Sequence, residues 1–359
     1  MPQKPQQNNT DKKNKRKHPR IGAGRGMLYT MLVLALLLAA FLIFMAPMML
    51  TRAPRTAMIR IPANATGAEV HDTLTRYMGD SFADKVMRMA RFRKTDFAKR
   101  HGAYEIKEGT NSLEVMRILT SGAQTPMRVT YHGVRNIQEL LDRISDKLAF
   151  GSDSLSMELY SPEVLDKYGL DSENAMAMFI DDTYEMYWSA TPGQVIDKIG
   201  RNYTRFWDDA NREKAARLGL KPVEVMILAS IVDEESNAAE EKGTIGRLYI
   251  NRLKKNMRLQ ADPTVRYATG DFTIKRITSE HLSTQSPYNT YLHAGLPPGP
   301  IRTTSKATVQ AILDSKPNDY LYMCAKEDLS GTHNFATTFA EHTRNAMRYQ
   351  HALDQRGIK

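Results

Sequence analysis

Apolar and polar residues divide this chain into stretches of very different character. Residues 1–26 are polar, basic and poor in apolar side chains, a composition that predicts disorder. Met27 to Leu50 is then a nearly unbroken apolar run without a charge. At 1.5 Å per residue, about 20 such residues cross a hydrocarbon core of roughly 30 Å. Beyond residue 50 the pattern alternates between strand and helix periods, which predicts an α+β fold. AMIRIPANA from Ala57 reads as a strand, and Thr66 to Met78 as a helix opened by a Thr cap with Glu69 three residues on. A basic stretch follows, with Arg88, Arg91, Arg93, Lys94, Lys99 and Arg100, consistent with a solvated helix face or with phosphate binding. Ala103–Ile106 reads as a strand, and Ser112–Leu119 as a helix ending at Gly122. Met127–Tyr131 is a further strand. Helices are expected over Ile137–Leu148, with Leu140, Leu141, Ile144 and Leu148 on one face, and over Pro192–Trp207, with Val195, Ile196 and Ile199 inward. MFIDDTYEMYW at 178–188 sets Asp181 and Asp182 among aromatics, as in a sugar platform or around a buried, hydrogen-bonded Tyr.

The organising stretch runs from Val223 to Thr264. Leu228, Ile231 and Val232 mark one helix face, and the next step along it, at i+7 from Leu228, is Glu235. Glu234 falls off that stripe and Asp233 lies on the far side, so of three consecutive carboxylates only Glu235 is expected to look inward. A carboxyl held there loses water and its pKa rises, which suits a general acid near neutral pH. The same position equally suits a carboxylate at the core's edge paired with a Lys or Arg. Downstream, NRL at 251–253, LQADPT at 259–264, SPYNTY at 286–291 and GLPPGPI at 295–301 are too polar and punctuated for core strands. They carry side chains suited to gripping sugars.

Charge and cysteine content narrow the picture. Eight cations against Asp11 alone in the first 25 residues carry most of the net +10. A basic tail with a nearly balanced remainder argues against nucleic acid as partner. The basic cluster ahead of the apolar run places the N-terminus in the cytoplasm and everything after residue 50 outside it. A cleaved signal peptide would have a shorter apolar core and a small-x-small cleavage site. The lone Cys324 excludes an intrachain disulfide. It sits in YLYMC, an apolar strand pattern, which predicts a buried, inert thiol rather than a Cys324–His333 nucleophile pair. No HExxH or paired-ligand spacing points to a metal.

With these motifs assembled, the chain resembles the MltG, or YceG-like, family of bacterial endolytic murein transglycosylases. The resemblance rests on the N-terminal anchor, the DTY segment at 182–184, LASIVDEES at 228–236, YINRL at 249–253 and MRLQADPTVRY at 257–267. SPYNTY, GLPPGPI and HNF at 333–335 continue it in order. It implies a basic cytoplasmic tail (1–26), a transmembrane helix (27–50), a small LysM-like module (51–125), a connecting α/β region (126–200) and a mixed α+β catalytic domain (201–359). The family's catalytic glutamate falls on Glu235. Where the family often shows Glu-Lys-Glu, this chain has Asp233-Glu234-Glu235.

The resemblance further implies cleavage of the β-1,4 bond between N-acetylmuramic acid and N-acetylglucosamine within glycan strands, leaving 1,6-anhydro ends. Glu235 would act first as acid and then as base, with the sugar's own C6 hydroxyl as nucleophile. Asn251, Gln260, Asp262, Thr264, Tyr288, Asn289 and Tyr291 are expected beside the glycan or just behind it. Asp-Pro-Thr reads as a turn, so Asp262 is a loop organiser, a substrate contact or, in a muramidase, the second carboxylate. The implied partners are peptidoglycan strands, the inner membrane and the synthases that extrude the strands; no cofactor is implied. A membrane-anchored wall-binding scaffold, in which Glu235 is only a core carboxylate, is the alternative of another class.

Overall fold

The computed structural model describes residues 23–357. Of the basic tail, residues 1–22 lie outside the described residues. The chain falls into two compact units. One comprises the described residues up to Ile59 with Ala65–Arg100 and Glu105–Ala123; the other comprises Arg60–Asn64, His101–Tyr104 and the chain from Gln124 onward.

The first unit opens with the apolar run, which is broken near its end. α1 (Ala23–Phe44) is followed by α2 (Ala46–Leu50), whose Pro47 sits in the first turn. Together, Gly26–Leu50 is long and apolar enough to cross a membrane, with a mean hydropathy of 2.7. In chain order there follow β1 (Ala57–Ile61), α3 (Gly67–Met78), α4 (Asp80–Phe92), β2 (Gly102–Ile106) and α5 (Ser112–Ser121), with β1 paired to β2; Arg60, Ile61 and Gly102–Tyr104 of these strands count with the second unit. The expected cap on α3 is present as a reciprocal pair. Glu69 accepts from the Thr66 N–H at 2.7 Å, and Thr66 Oγ1 accepts from the Glu69 N–H at 3.3 Å. Val70, Leu74, Phe82, Val86, Val115 and Leu119 supply the core.

The second unit contains β3 (Met127–Tyr131), α6 (Ile137–Ser145), α7 (Ser152–Leu159), α8 (Pro162–Tyr168), β4 (Ile180–Met186), α9 (Pro192–Phe206) and α10 (Asp209–Leu218). It continues with α11 (Pro222–Glu235), α12 (Ala239–Lys254), α13 (Asp262–Thr269), α14 (Ser279–Leu282), β5 (Thr304–Ser305) and α15 (Lys306–Leu313). β6 (Tyr322–Ala325), β7 (His333–Ala336) and α16 (Phe339–Gln355) complete it. β3 and β4 are antiparallel with Val129 opposite Tyr184, and β5 adds in parallel with Thr304 opposite Ile180. β6 and β7 form a separate antiparallel pair with Cys324 opposite Asn334. Tyr184 is buried, stacks on Tyr131 with ring centroids 5.5 Å apart and accepts from Asn202 Nδ2 at 2.7 Å. The DTY tyrosine is therefore a core residue and not a sugar platform.

α11 runs through the middle of this unit. Val225 to Asp233 are buried without interruption, because a helix apolar all round is satisfied only when surrounded. α12 and α15 pack closely where α12 carries two glycines. A Cβ at Gly243 would lie 2.7 Å from the Ala311 carbonyl, and one at Gly246 would lie 2.7 Å from Ile312. Any larger residue would push α15 away from α11 and α12.

This burial corrects the expected facing of the three carboxylates: Asp233 and Glu234, expected off the inward stripe, are turned into the protein as well. Asp233 is 9% exposed and accepts from Lys242 Nζ and Thr308 Oγ1, each at 2.6 Å, and from Thr304 Oγ1. The Glu234 carboxylate is 7% exposed and gripped by Arg135 at 2.8 Å and Arg302 at 2.7 Å. A periodicity argument assumes one wet face, and α11 has none. Two further expectations change. Asp262 opens α13 with Pro263 in its first turn, so Asp-Pro-Thr starts a helix. Cys324 is half-buried rather than buried.

Candidate active site

The last turn of α11 opens into a cleft of about 380 Å³. α11 contributes Glu235, α12 contributes Leu248, Tyr249 and Arg252, and the loop into α13 contributes Leu259, Gln260 and Asp262. Tyr291, the β6–β7 ribbon and the start of α16 close the remaining walls. Leu248, Tyr249 and Arg252 lie within one turn of α12, so a single helix face presents an apolar contact, a phenol and a cation together.

Glu235 meets the cleft from the protein side. Burial pushes its carboxyl up to about 7; the Tyr249 hydrogen bond pulls the other way, and the Asp262 charge adds to the rise. Tyr249 Oη donates to Glu235 Oε1 at 2.6 Å. Burial, followed by the Glu235 charge, holds that phenol well above its usual range, so it stays a donor throughout neutral pH. No Lys or Arg forms an ion pair with Glu235 among the described residues, in contrast to Asp233 and Glu234 beside it. A carboxyl with one neutral donor and no ion pair, on which the Arg266 charge pulls down less strongly than burial pushes up, can carry a proton at pH 7 and release it.

Asp262 stands across the cleft and accepts from Tyr291 Oη at 2.6 Å. Gln260 is held with φ at +52°, a left-handed conformation that costs a non-glycine residue of the order of 1 kcal/mol. Its amide N–H donates to the Thr290 carbonyl at 3.1 Å, and its Oε1 accepts from Arg252 at 2.5 Å. Arg252 is itself 7% exposed and also donates to the carbonyls of Arg258 and Leu321, each at 2.9 Å. It is a buried cation satisfied by neutral oxygens, and its charge is directed to the cleft wall rather than cancelled there. On the far side, Glu241 accepts from the His333 N–H at 2.7 Å, contacts His333 Nδ1 at 3.0 Å and accepts from Ser236 at 3.3 Å. That cluster fixes the chain just after Glu235 to the β6–β7 ribbon.

Of the residues singled out from the sequence, Glu235, Gln260, Asp262 and Tyr291 come together in the cleft. The others lie behind or beside it. Thr264 is fully buried and bonds Thr290 Oγ1 at 2.8 Å and the Ala261 carbonyl at 2.7 Å, bracing the loop that carries Gln260. Asn289 is fully buried and donates to the carbonyls of Leu282 and Thr284 at 3.0 and 2.9 Å. Tyr288 packs on Tyr267 with ring centroids 4.7 Å apart. Asn251 donates to the carbonyls of Asn318 and Tyr320 at 2.8 and 3.1 Å, holding the approach to β6. Tyr249, Arg252 and His333 are the residues that sequence reasoning missed. All three lie inside motifs already noted, but Tyr249 and Arg252 sit in an apolar helical pattern that signals only packing. Cys324 also lines the cleft, yet burial and the Glu327 charge raise its thiol above the usual range, which disfavours a nucleophilic thiolate.

The chain is similar to the endolytic murein transglycosylase of Bacillus subtilis (strain 168), with 38% identity over 125 residues, covering 35% of this chain and 34% of that protein. It is also similar to the endolytic murein transglycosylase of Streptococcus pneumoniae serotype 2, with 28% identity over 175 residues, covering 46% and 31%. These matches span about a third of the length of those curated relatives. The crystal structure of a yceG-like protein from Listeria monocytogenes shares the fold at a TM-score of 0.54 and 22% identity, over 81% of this chain and 98% of that one. The sequence profile of the YceG-like family matches residues 59–348, and the chain belongs to that family.

Proposed function

We propose that this protein is a membrane-anchored endolytic transglycosylase of peptidoglycan, with Glu235 as its single acid–base group. The observation that carries the reading is the state of that carboxyl: raised to about 7, facing a polar cleft, and held by a neutral phenol instead of a cation. The names of the relatives in Bacillus and Streptococcus point to the same chemistry.

In this mechanism a glycan strand lies along the cleft with the bond between N-acetylmuramic acid and N-acetylglucosamine over Glu235. The protonated carboxyl gives its proton to the leaving O4 as the C1–O4 bond breaks. The C6 hydroxyl of the muramoyl residue attacks C1, and the Glu235 carboxylate takes the hydroxyl proton. The proton is thereby restored, no water is consumed and a 1,6-anhydro end is formed. Tyr249 orients the carboxyl and eases its ionised phase, while Gln260, Arg252 and Tyr291 bond the sugars. The intramolecular hydroxyl supplies the proximity that a second carboxylate and its water would otherwise provide.

The remaining parts of the proposal follow from the chain's layout. The apolar helix serves as an inner-membrane anchor with the N-terminus in the cytoplasm, which confines cutting to strands emerging near the membrane beside their synthases. The β1–α3–α4–β2 order supports a LysM-like, glycan-binding role for the small module, ahead of a connecting region and a catalytic domain from about residue 201.

One feature favours a second reading. Asp262 shares the cleft with Glu235, so a muramidase using both carboxyls has its second acid in place. Mass spectrometry of purified peptidoglycan treated with the detergent-solubilised chain separates the readings. Anhydro-muramoyl ends that disappear with Glu235→Gln support the transglycosylase; reducing ends assign a hydrolase. Binding without any cleavage leaves a wall-binding scaffold.

A further inference from the structure

The strongest unassigned surface lies on the first unit and begins where the apolar run ends. α2 is not a loose tether. Met48 is 2% exposed, its carbonyl accepts from Ser112 Oγ at 2.8 Å, and the Ser112 N–H donates to the Thr51 carbonyl at 3.0 Å. Met49 and Leu50 stay exposed, at 48% and 78%. Thr51, the first residue after the run, meets α4 through Lys85, whose Nζ donates to Thr51 Oγ1 at 2.7 Å. Helical spacing carries that face of α4 onward through Arg88 and Met89 to Phe92, at i+3, i+4 and i+7.

Phe92 is 83% exposed, more than any other large apolar side chain among the described residues. Its setting is strongly basic: between Asp80 and Arg100 seven cations face three carboxylates. Among the described residues of this unit, His71, when protonated, pairs with Asp72 and Asp84, and Lys99 pairs with Asp96; none of these pairs engages Arg88, Arg93, Lys94 or Arg117. A concavity of about 650 Å³ lies alongside, with Arg93, Lys94, Lys99, Arg100 and Arg117 on its walls and Asp96 as its one carboxylate. In water this arrangement is unfavourable twice over, exposing an aromatic ring and crowding like charges. At the surface of an anionic bilayer both terms change sign. The ring enters the headgroup–acyl boundary, and each cation near lipid phosphate is stabilised instead of repelled.

We propose that α4 and the turn after it dock on an anionic phospholipid surface, with Phe92 inserted at the interface and Arg88, Arg93 and Lys94 on lipid phosphates. The proposal rests on the reading of the apolar run as a membrane anchor. Its consequence is that the first unit lies against the bilayer, held by two signals, instead of swinging on a tether.

The test uses the full chain in nanodiscs of phosphatidylcholine with or without phosphatidylglycerol, with lipids brominated at deep or shallow chain positions. Phe92→Trp reports the surface and Leu37→Trp reports the span, each read against the emission of the chain's own two tryptophans. Quenching of Trp in both variants by phosphatidylglycerol discs, shallow at position 92 and deep at position 37, supports the proposal. Adding Arg88→Glu, Arg93→Glu and Lys94→Glu to Phe92→Trp should release the quenching, each lost cation weakening docking about fivefold (~1 kcal/mol). Quenching at position 37 with none at position 92 overturns the docking and leaves the anchor standing. A charge-reversed variant quenched as strongly as its parent overturns the phosphate contacts. Absence of quenching at both positions removes the anchor reading and the docking with it.

Discussion

The C-terminal turn of α11 borders two regions that treat a carboxylate differently, and two carboxylates a single residue apart fall on either side of the divide. On the side of α12, α15 and β5, Asp233 is buried yet bonded to Lys242, Thr304 and Thr308. Burial alone would raise its pKa, but those three bonds outweigh it and hold the carboxyl below its usual range. On the cleft side, Glu235 loses water in the same way, but among the described residues its hydrogen-bond partner is Tyr249 alone and the Arg266 charge forms no ion pair with it, so its carboxyl rises to about 7. Burial is common to both regions. What separates a structural carboxylate from one able to exchange protons is whether a cation is built in beside it.

Four experiments test this contrast, the largest effect being expected from Glu235→Gln. Under the proposed mechanism this variant should slow glycan cleavage by about 10²–10⁴-fold, measured as the rate of product release from purified peptidoglycan. A rate within tenfold of the parent would move the acid to another residue. On the opposite side, Lys242→Met strips Asp233 of its cation and leaves a buried charge. The expected cost is roughly 3–5 kcal/mol of stability, read as a fall in Tm on the order of 10 °C. An unchanged Tm would mean that Asp233 is not held by charge pairing.

The third experiment compares the two regions through pH. Glu235 has a folded pKa above its unfolded value, so its contribution to stability is complete below about 4.5 and is lost as pH rises through about 7. Asp233 has a lowered pKa, so its contribution is present above about 3.8 and is lost only as pH falls further. Glu235→Gln should therefore gain Tm relative to the parent at pH 8 but not at pH 4.5. Allowing for water in the cleft, the gain corresponds to on the order of 1–3 kcal/mol. Equal gains at both pH values would remove the raised pKa. The smallest effect is expected for Tyr249→Phe. Because the phenol favours the ionised carboxylate, its loss should move the falling limb of the pH–rate profile upward by about one unit. A limb that stays in place would leave Tyr249 a packing residue.

Much of this architecture was legible in the chain itself. The apolar run, the reciprocal cap of Thr66 with Glu69, and the strands at 57–61, 103–106 and 127–131 follow from local chemistry that acts within a few residues. The helices α5, α6 and α9 were equally local, since each has one wet face and a period to read. α6 stops at Ser145, short of the expected Leu148, because its last turn gives way to a loop. Helical phase misled on α11, where Asp233 and the Glu234 carboxylate are buried and Glu235 is half-buried in the cleft wall. With no wet face, helical phase carries no information about which carboxylate points where.

The candidate site divides in the same way. Position in a family motif was enough to bring Glu235, Gln260, Asp262 and Tyr291 into consideration, and the fold gathers all four around one cleft. Polarity could not separate them from Asn251, Thr264 and Asn289, because a side chain that braces a loop needs the same donors and acceptors as one that grips a sugar. Local sequence chemistry was enough to locate the apolar helix, most of the helices and strands, and the residue types able to carry the chemistry. Only the tertiary structure decided that Asp233 and Glu234 have cations while Glu235 has a phenol. Those partners come from the loop before α6, from α12 and from the 302–308 segment, brought together across long stretches of chain, and a pKa depends on what stands within a few ångströms of the carboxyl in space.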